Sequence, residues 1–132
     1  MFSVRVYYED TDFSGNVYHA NYLKFFERAR TEWLRAHNVH HAALAREGLG
    51  FAVRRMNVSF EAPAHIDDVL DVETVLNEVS GARVEITQIL RRKGIILCRT
   101  GMSIALINGQ GRPVRLPKEV RAVFGEIEST AC

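Results

Sequence analysis

Residues 69 to 107, VLDVETVLNEVSGARVEITQILRRKGIILCRTGMSIALI, carry the reading that decides the fold. Val72, Thr74 and Leu76 alternate with Asp71, Glu73 and Asn77, the two-residue period of a strand with one buried face. Ser80-Gly81 and Lys93-Gly94 interrupt that period as tight turns, so the stretch predicts three successive antiparallel strands: 69–79, 83–91 and 95–107. On the last of these, Ile96, Cys98, Thr100, Met102, Ile104 and Leu106 fall on one face. Working outward, Phe51 to Glu61 reads as a further strand before Ala62-Pro63, and Val4, Val6 and Tyr8 alternate as a short first strand.

Between the first two strands the period changes. Tyr22, Phe26, Ala29, Trp33 and Ala36 recur at spacings of four and three from about Tyr18, which predicts an amphipathic helix of five turns. Residues 38 to 50 form a connector with a helical turn at Ala42 to Arg46, closed by Gly48 and Gly50. Pro117 suits the first position of a short helix ending near Phe124, with residues 125 to 132 as a tail. One long helix cannot be the crossover of so many hairpin-joined strands. The class is therefore α+β, a helix laid on one face of an antiparallel sheet, in a single domain over 1–132 with its core at about 4–124. Several strands carry apolar residues on both faces, so a second copy of the chain is expected to cover part of the sheet.

Composition narrows the function classes. The 132 residues are 47% hydrophobic and 25% charged, an ordinary globular balance that excludes disordered, collagen-like and coiled-coil chains. Seventeen basic and sixteen acidic side chains give a formal net charge of +1, so no bulk attraction to nucleic acid or anionic lipid is expected. Cys98 and Cys132 have neither metal-ligand spacing nor a disulfide framework, which points to a reducing compartment. The N-terminus lacks a signal-peptide pattern and no segment reaches the apolar length of a membrane span; the expected location is cytoplasmic.

Phosphate loops, nucleophile elbows and zinc-binding signatures are absent. What remains is Asp10-Thr11-Asp12-Phe13-Ser14-Gly15-Asn16-Val17-Tyr18-His19-Ala20-Asn21-Tyr22, a carboxylate and an imidazole seven residues apart across a glycine-containing loop. His19 opens the long helix, where unpaired backbone N–H groups and a partial positive charge would stabilise an oxyanion. A turn-forming Asp12 and a solvent-facing His19 satisfy the same pattern, and spacing alone does not choose between the two readings.

This run, together with Phe25-Phe26-Glu27-Arg28-Ala29-Arg30-Thr31-Glu32, Val53-Arg54-Arg55-Met56 and Ala62-Pro63-Ala64-His65-Ile66-Asp67-Asp68, resembles the acyl-CoA thioesterases of hotdog fold of the 4-hydroxybenzoyl-CoA thioesterase type. Within them it is most similar to the bacterial branch associated with the Tol-Pal envelope system. The resemblance implies a long helix wrapped by a curved antiparallel sheet and hydrolysis of a thioester. Asp12 matches the catalytic carboxylate, as nucleophile or general base, and His19 matches the helix-start position whose backbone N–H addresses the thioester carbonyl. Tyr8 resembles a tyrosine near the catalytic centre, and Gly15 a loop position that lets backbone approach substrate closely.

Glu27 matches a substrate-contacting acid of the hydroxybenzoyl branch, although the neighbouring Arg28 and Arg30 favour a structural ion pair. Coenzyme A needs local cations for its phosphates; Arg83, Arg54 and the Arg91-Arg92-Lys93 turn are the candidates. The implied substrate is a short aliphatic or aromatic acyl-CoA, or an acyl carrier protein thioester. No metal and no cofactor is expected beyond the coenzyme A of the substrate, and the assembly is expected to be a homodimer or homotetramer. A hotdog hydratase or dehydratase, and a non-catalytic acyl-thioester scaffold, are the competing readings.

Overall fold

The structure, a computed structural model, describes residues 1–130. Five strands, β1 (Phe2–Arg5), β2 (Gly50–Phe60), β3 (Val69–Ser80), β4 (Arg83–Arg92) and β5 (Ile95–Ile107), form one sheet in the order β1-β3-β4-β5-β2. Helices α1 (His19–Ala36), α2 (His41–Arg46) and α3 (Lys118–Thr130) complete the chain. The strands expected over 51–61, 69–79, 83–91 and 95–107 are all present within a residue of those bounds. At Lys93-Gly94 both residues take positive φ, 50° and 81°, the backbone that lets a two-residue hairpin follow the twist of its strands.

Three sequence expectations are corrected. The first strand ends at Arg5, antiparallel to β3 with Phe2 opposite Val72, and Tyr8 instead begins a 3-10 turn, Tyr8–Asp10. Val6 keeps the expected burial because its N–H and C=O bond to Asp68 and Asp67 outside any strand. Ala36 is exposed; the apolar face of α1 is carried by Tyr22, Phe25, Phe26, Ala29 and Leu34. The tail proposed from residue 125 is helical to Thr130, and Cys132 lies outside the described residues.

The chain divides into two compact units. The first comprises residues 1–33, 58–74 and 88–100. Its core joins the α1 side chains Tyr22, Phe25, Phe26 and Ala29 to Leu70 and Val72 of β3, Leu90 of β4 and Leu97 and Cys98 of β5. Beneath the helix, Gln88 is fully buried and fully satisfied: Nε2 donates to Phe26 O at 2.9 Å and Thr74 Oγ1 at 3.0 Å, and Oε1 accepts from Arg30 at 3.1 Å. Burial pulls the Arg30 pKa down, and the charge of Glu27 opposes that shift.

The second unit comprises residues 34–57, 75–87 and, of the described residues, those from 101 onward. It contains the ends of α1 and α2, which stop in the same way. Val39 N–H reaches back to Leu34 O with Asn38 at φ 64°, and Leu49 N–H to Leu44 O with Gly48 at φ 75°, so the last carbonyls of each helix are paired by a left-handed residue. Phe51 packs edge-on against His41 and Phe124, with ring centroids 6.1 and 6.4 Å apart.

Candidate active site

Residues 10 to 19 cross the first unit as a tight loop whose two acids have different tasks. Asp10 is 6% exposed; its carboxylate accepts the Tyr7 N–H at 2.8 Å and Asn21 Nδ2 at 2.7 Å, and its carbonyl accepts the Tyr18 N–H at 2.9 Å. It anchors the loop to the beginning of α1. Asp12, two residues on, is exposed. Its Oδ1 accepts both the N–H and the hydroxyl of Ser14, and Oδ2 has no partner among the described residues. The Ser14 hydroxyl and N–H together hold the Asp12 pKa below the ordinary carboxylate value, so the group is an anion at neutral pH.

The loop closes because Asp12 N–H donates to Asn16 O at 2.9 Å and Gly15 N–H to Asp12 O at 3.1 Å, with Gly15 at φ 86°. A side chain there would have space but a strained backbone, so glycine serves the turn. The far wall comes from the segment after β2. Val17 N–H donates to Ala64 O at 2.8 Å, Asn16 bridges His65, and Ala64 N–H donates to the Tyr22 hydroxyl at 3.0 Å.

Between these walls lies a groove of about 370 Å³. Asp12, Asn16, Val17, His19 and Tyr22 form one side, and Phe60, Glu61, Ala62 and Pro63 the other. His19 is the first residue of α1, where backbone N–H groups have no intrahelical acceptor; its ring lies 4.4 Å from that of Tyr18. The structure therefore brings Asp12 and the helix start to one cleft.

Tyr8, Glu27, Arg54 and Arg83 are not among the groove-lining residues. Tyr8 is 79% exposed and is not part of the groove lining. Glu27 is exposed on α1 and also absent from the lining; its charge opposes the lowering of the Arg30 pKa by burial. Arg54 and Arg83 belong to the second unit. Of the turn cations, Arg91 is paired with Glu73 at 2.9 Å. Arg92 pairs with Asp68 at 2.7 Å and donates to Pro63 O at 3.4 Å, which sets it behind the groove wall with Nη2 and Nε uncommitted among the described residues. Asp68 is partly desolvated, which raises its pKa, but the His65 N–H and Arg92 prevail and hold it low.

Glu61, paired with Arg99 at 3.1 Å, and Tyr22 are groove residues the sequence reading did not assign to the site. Tyr22 was legible in principle, because three residues beyond His19 is the next turn of the same helix face. Cys98 is buried and its thiol is pushed up to about 12 by burial, which removes it as a nucleophile at neutral pH. Among the described residues no cluster of His, Cys, Asp and Glu could hold a metal ion, and no helix is long and apolar enough to cross a membrane.

Known proteins resemble this chain over most of its length. The family model described as the Thioesterase-like superfamily matches residues 6–124. The chain is 45% identical over 129 residues to the acyl-CoA thioesterase YbgC of Haemophilus influenzae, covering 96% of this chain and 95% of that protein. It is 42% identical over 123 residues, 92% of each chain, to the acyl-CoA thioester hydrolase YbgC of Escherichia coli. The crystal structure of a probable thioesterase from Bartonella henselae superposes with a TM-score of 0.85 at 45% identity, covering 88% of this chain and 97% of that one. With its α+β architecture and its five-stranded sheet, this chain belongs to the hotdog-fold Thioesterase-like superfamily.

Proposed function

We propose that the chain is an acyl-CoA thioesterase that hydrolyses a short aliphatic or aromatic acyl-CoA to the free acid and coenzyme A. The observation that carries the reading is the state of Asp12: an exposed, ionised carboxylate with one oxygen fixed by Ser14 and the other open, lining the same groove as the first residue of α1. As general base, Asp12 takes a proton from water while the water oxygen attacks the thioester carbon. As nucleophile it attacks that carbon itself and water then cleaves the anhydride. In both, the carbonyl oxygen gains negative charge at the helix start, the C–S bond breaks and the thiolate leaves as a thiol once protonated.

The similarity to proteins named acyl-CoA thioesterases supports coenzyme A rather than an acyl carrier protein as the carrier. Arg92, open beyond Asp68 and next to Pro63, is the residue best placed in the first unit for a phosphate. The assembly is proposed to be at least a dimer: β2 is an eleven-residue edge strand with Val53 and Phe60 about half exposed, and a second copy pairing along it would cover both its free backbone groups and its apolar side chains. A cytoplasmic location is proposed from the cysteine usage.

Incubating the protein with a panel of acyl-CoAs and a thiol-specific reagent tests the activity. Release of one thiol per acyl group consumed is expected. Conversion of an enoyl-CoA to its hydroxyacyl-CoA, with the thioester intact and no thiol released, would make the protein a hydratase, and binding without turnover a scaffold.

A further inference from the structure

Tyr22 has a spare hydrogen-bond donor that the fold leaves unused. The residue is 4% exposed, and its ring is held edge-on by Phe25 and Phe60, with centroids 6.5 and 5.4 Å away. Its hydroxyl oxygen accepts the Ala64 N–H at 3.0 Å. A phenol both accepts and donates, and no acceptor for the Tyr22 proton is present among the described residues. Buried hydroxyls normally find partners in both senses, because desolvating a donor without one is costly. Yet Tyr22 is a wall of the groove that holds Asp12 and His19.

Position on the helix gives the donor its target. Tyr22 lies three residues after His19, and helical side chains lean toward the N-terminus, so its ring reaches back over the first turn. That is where the uncommitted backbone N–H groups of α1 point. We propose that the Tyr22 hydroxyl donates a hydrogen bond to the substrate's thioester carbonyl oxygen, as a second donor beside the backbone N–H at the helix start. The Ala64 N–H received by the same oxygen polarises the O–H bond and fixes its direction. As the carbonyl carbon becomes tetrahedral, the growing negative charge strengthens the bond, which makes Tyr22 a catalytic residue rather than a mere wall.

The phenol is in the required form. Burial, the dominant influence, raises its pKa above the ordinary tyrosine value; Cys98 and Asp68 act in the same direction, the Ala64 N–H and Arg92 against it. The ionisable groups that share its groove are Asp12, His19 and Glu61.

The inference rests on the thioesterase reading, and two variants separate their failures. Tyr22→Phe should lower kcat about 100-fold with KM nearly unchanged, the usual size of one lost oxyanion donor. Because that change also deprives Ala64 of its acceptor, a second set keeps the hydroxyl: fluorotyrosines of increasing acidity placed at position 22 alone. A donor is lost when the phenol ionises, so the alkaline limb of kcat should move to lower pH in step with the acidity of the substituted phenol. A hydroxyl that only receives the Ala64 N–H would accept it better as a phenolate, and the limb would stay where it is. Unchanged kcat in Tyr22→Phe, or an alkaline limb indifferent to fluorination, would overturn the role of Tyr22 while leaving the thioesterase intact. Absence of thiol release by the unsubstituted protein would overturn the thioesterase reading and this role with it.

Discussion

Two polar clusters in the first unit are built on opposite terms. At Gln88, the side chain is completely buried, both amide hydrogens and the carbonyl are bonded, and the arginine it accepts from is largely withdrawn from water. At the groove, Asp12 is exposed with one oxygen open, and Tyr22 is buried with its proton unspent. A satisfied buried network has nothing left to offer a ligand and acts on stability; an incompletely satisfied one at a cleft costs stability and acts on substrate. The adjacent acids Asp10 and Asp12 repeat the contrast within three residues, the first closed by Tyr7 and Asn21 and the second open.

The contrast predicts where each substitution will register. Asp12→Asn keeps the shape of the side chain and removes its charge, so kcat for thiol release should fall by about 100-fold or more while the fold is retained; steady-state kinetics and circular dichroism check both halves. Gln88→Ala leaves Arg30 and the Phe26 carbonyl without their partner, and should cost about 2–3 kcal/mol, or roughly 10 °C in Tm by calorimetry, with kcat unchanged at temperatures where the protein is folded.

Smaller effects sharpen the boundary of the site. Arg92→Ala should raise KM for acyl-CoA about tenfold with little change in kcat, and should do so less for a truncated pantetheine thioester that lacks the nucleotide phosphates. An equal rise for both substrates would move the phosphate contact elsewhere. Ser14 lowers the Asp12 pKa, so the carboxylate proposed to act in hydrolysis stays ionised as pH falls below the ordinary carboxylate value. In Ser14→Ala the pKa rises, and the acid limb of kcat/KM should move up in pH toward the free value of 3.8. Least affected should be Glu27→Gln and Tyr8→Phe, which alter residues outside the groove lining and should leave kcat and KM within about twofold.

Much of the fold was legible because periodicity is a local property. The four long strands and α1 announce themselves through alternation and through spacings of three and four, and turn chemistry at Gly81 and Gly94 joins the strands. β1 was overextended for an instructive reason: Val6 is buried like a strand residue, but its backbone bonds to the Asp67-Asp68 turn, a long-range partner that no local pattern records. The site divides along the same line. Asp12 and His19 fall in one continuous segment and were visible as a carboxylate, a loop and a helix start. Phe60 to Pro63 come from more than forty residues away and are joined to the groove by long-range contacts, among them the pairing of Val17 with Ala64 and of Asn16 with His65. Tyr22 could be placed on the apolar face from its spacing, but the direction of its unspent donor depends on that same distant segment.

The central claim, that the open carboxylate of Asp12 performs the hydrolysis while the closed network at Gln88 holds the fold, is tested most directly by measuring kcat and Tm on the same preparations of Asp12→Asn and Gln88→Ala. The account predicts a crossed result: Asp12→Asn loses turnover and keeps its Tm, whereas Gln88→Ala loses Tm and keeps its turnover. A folded Asp12→Asn protein with undiminished thiol release would contradict it and return residues 10 to 19 to a turn-forming role.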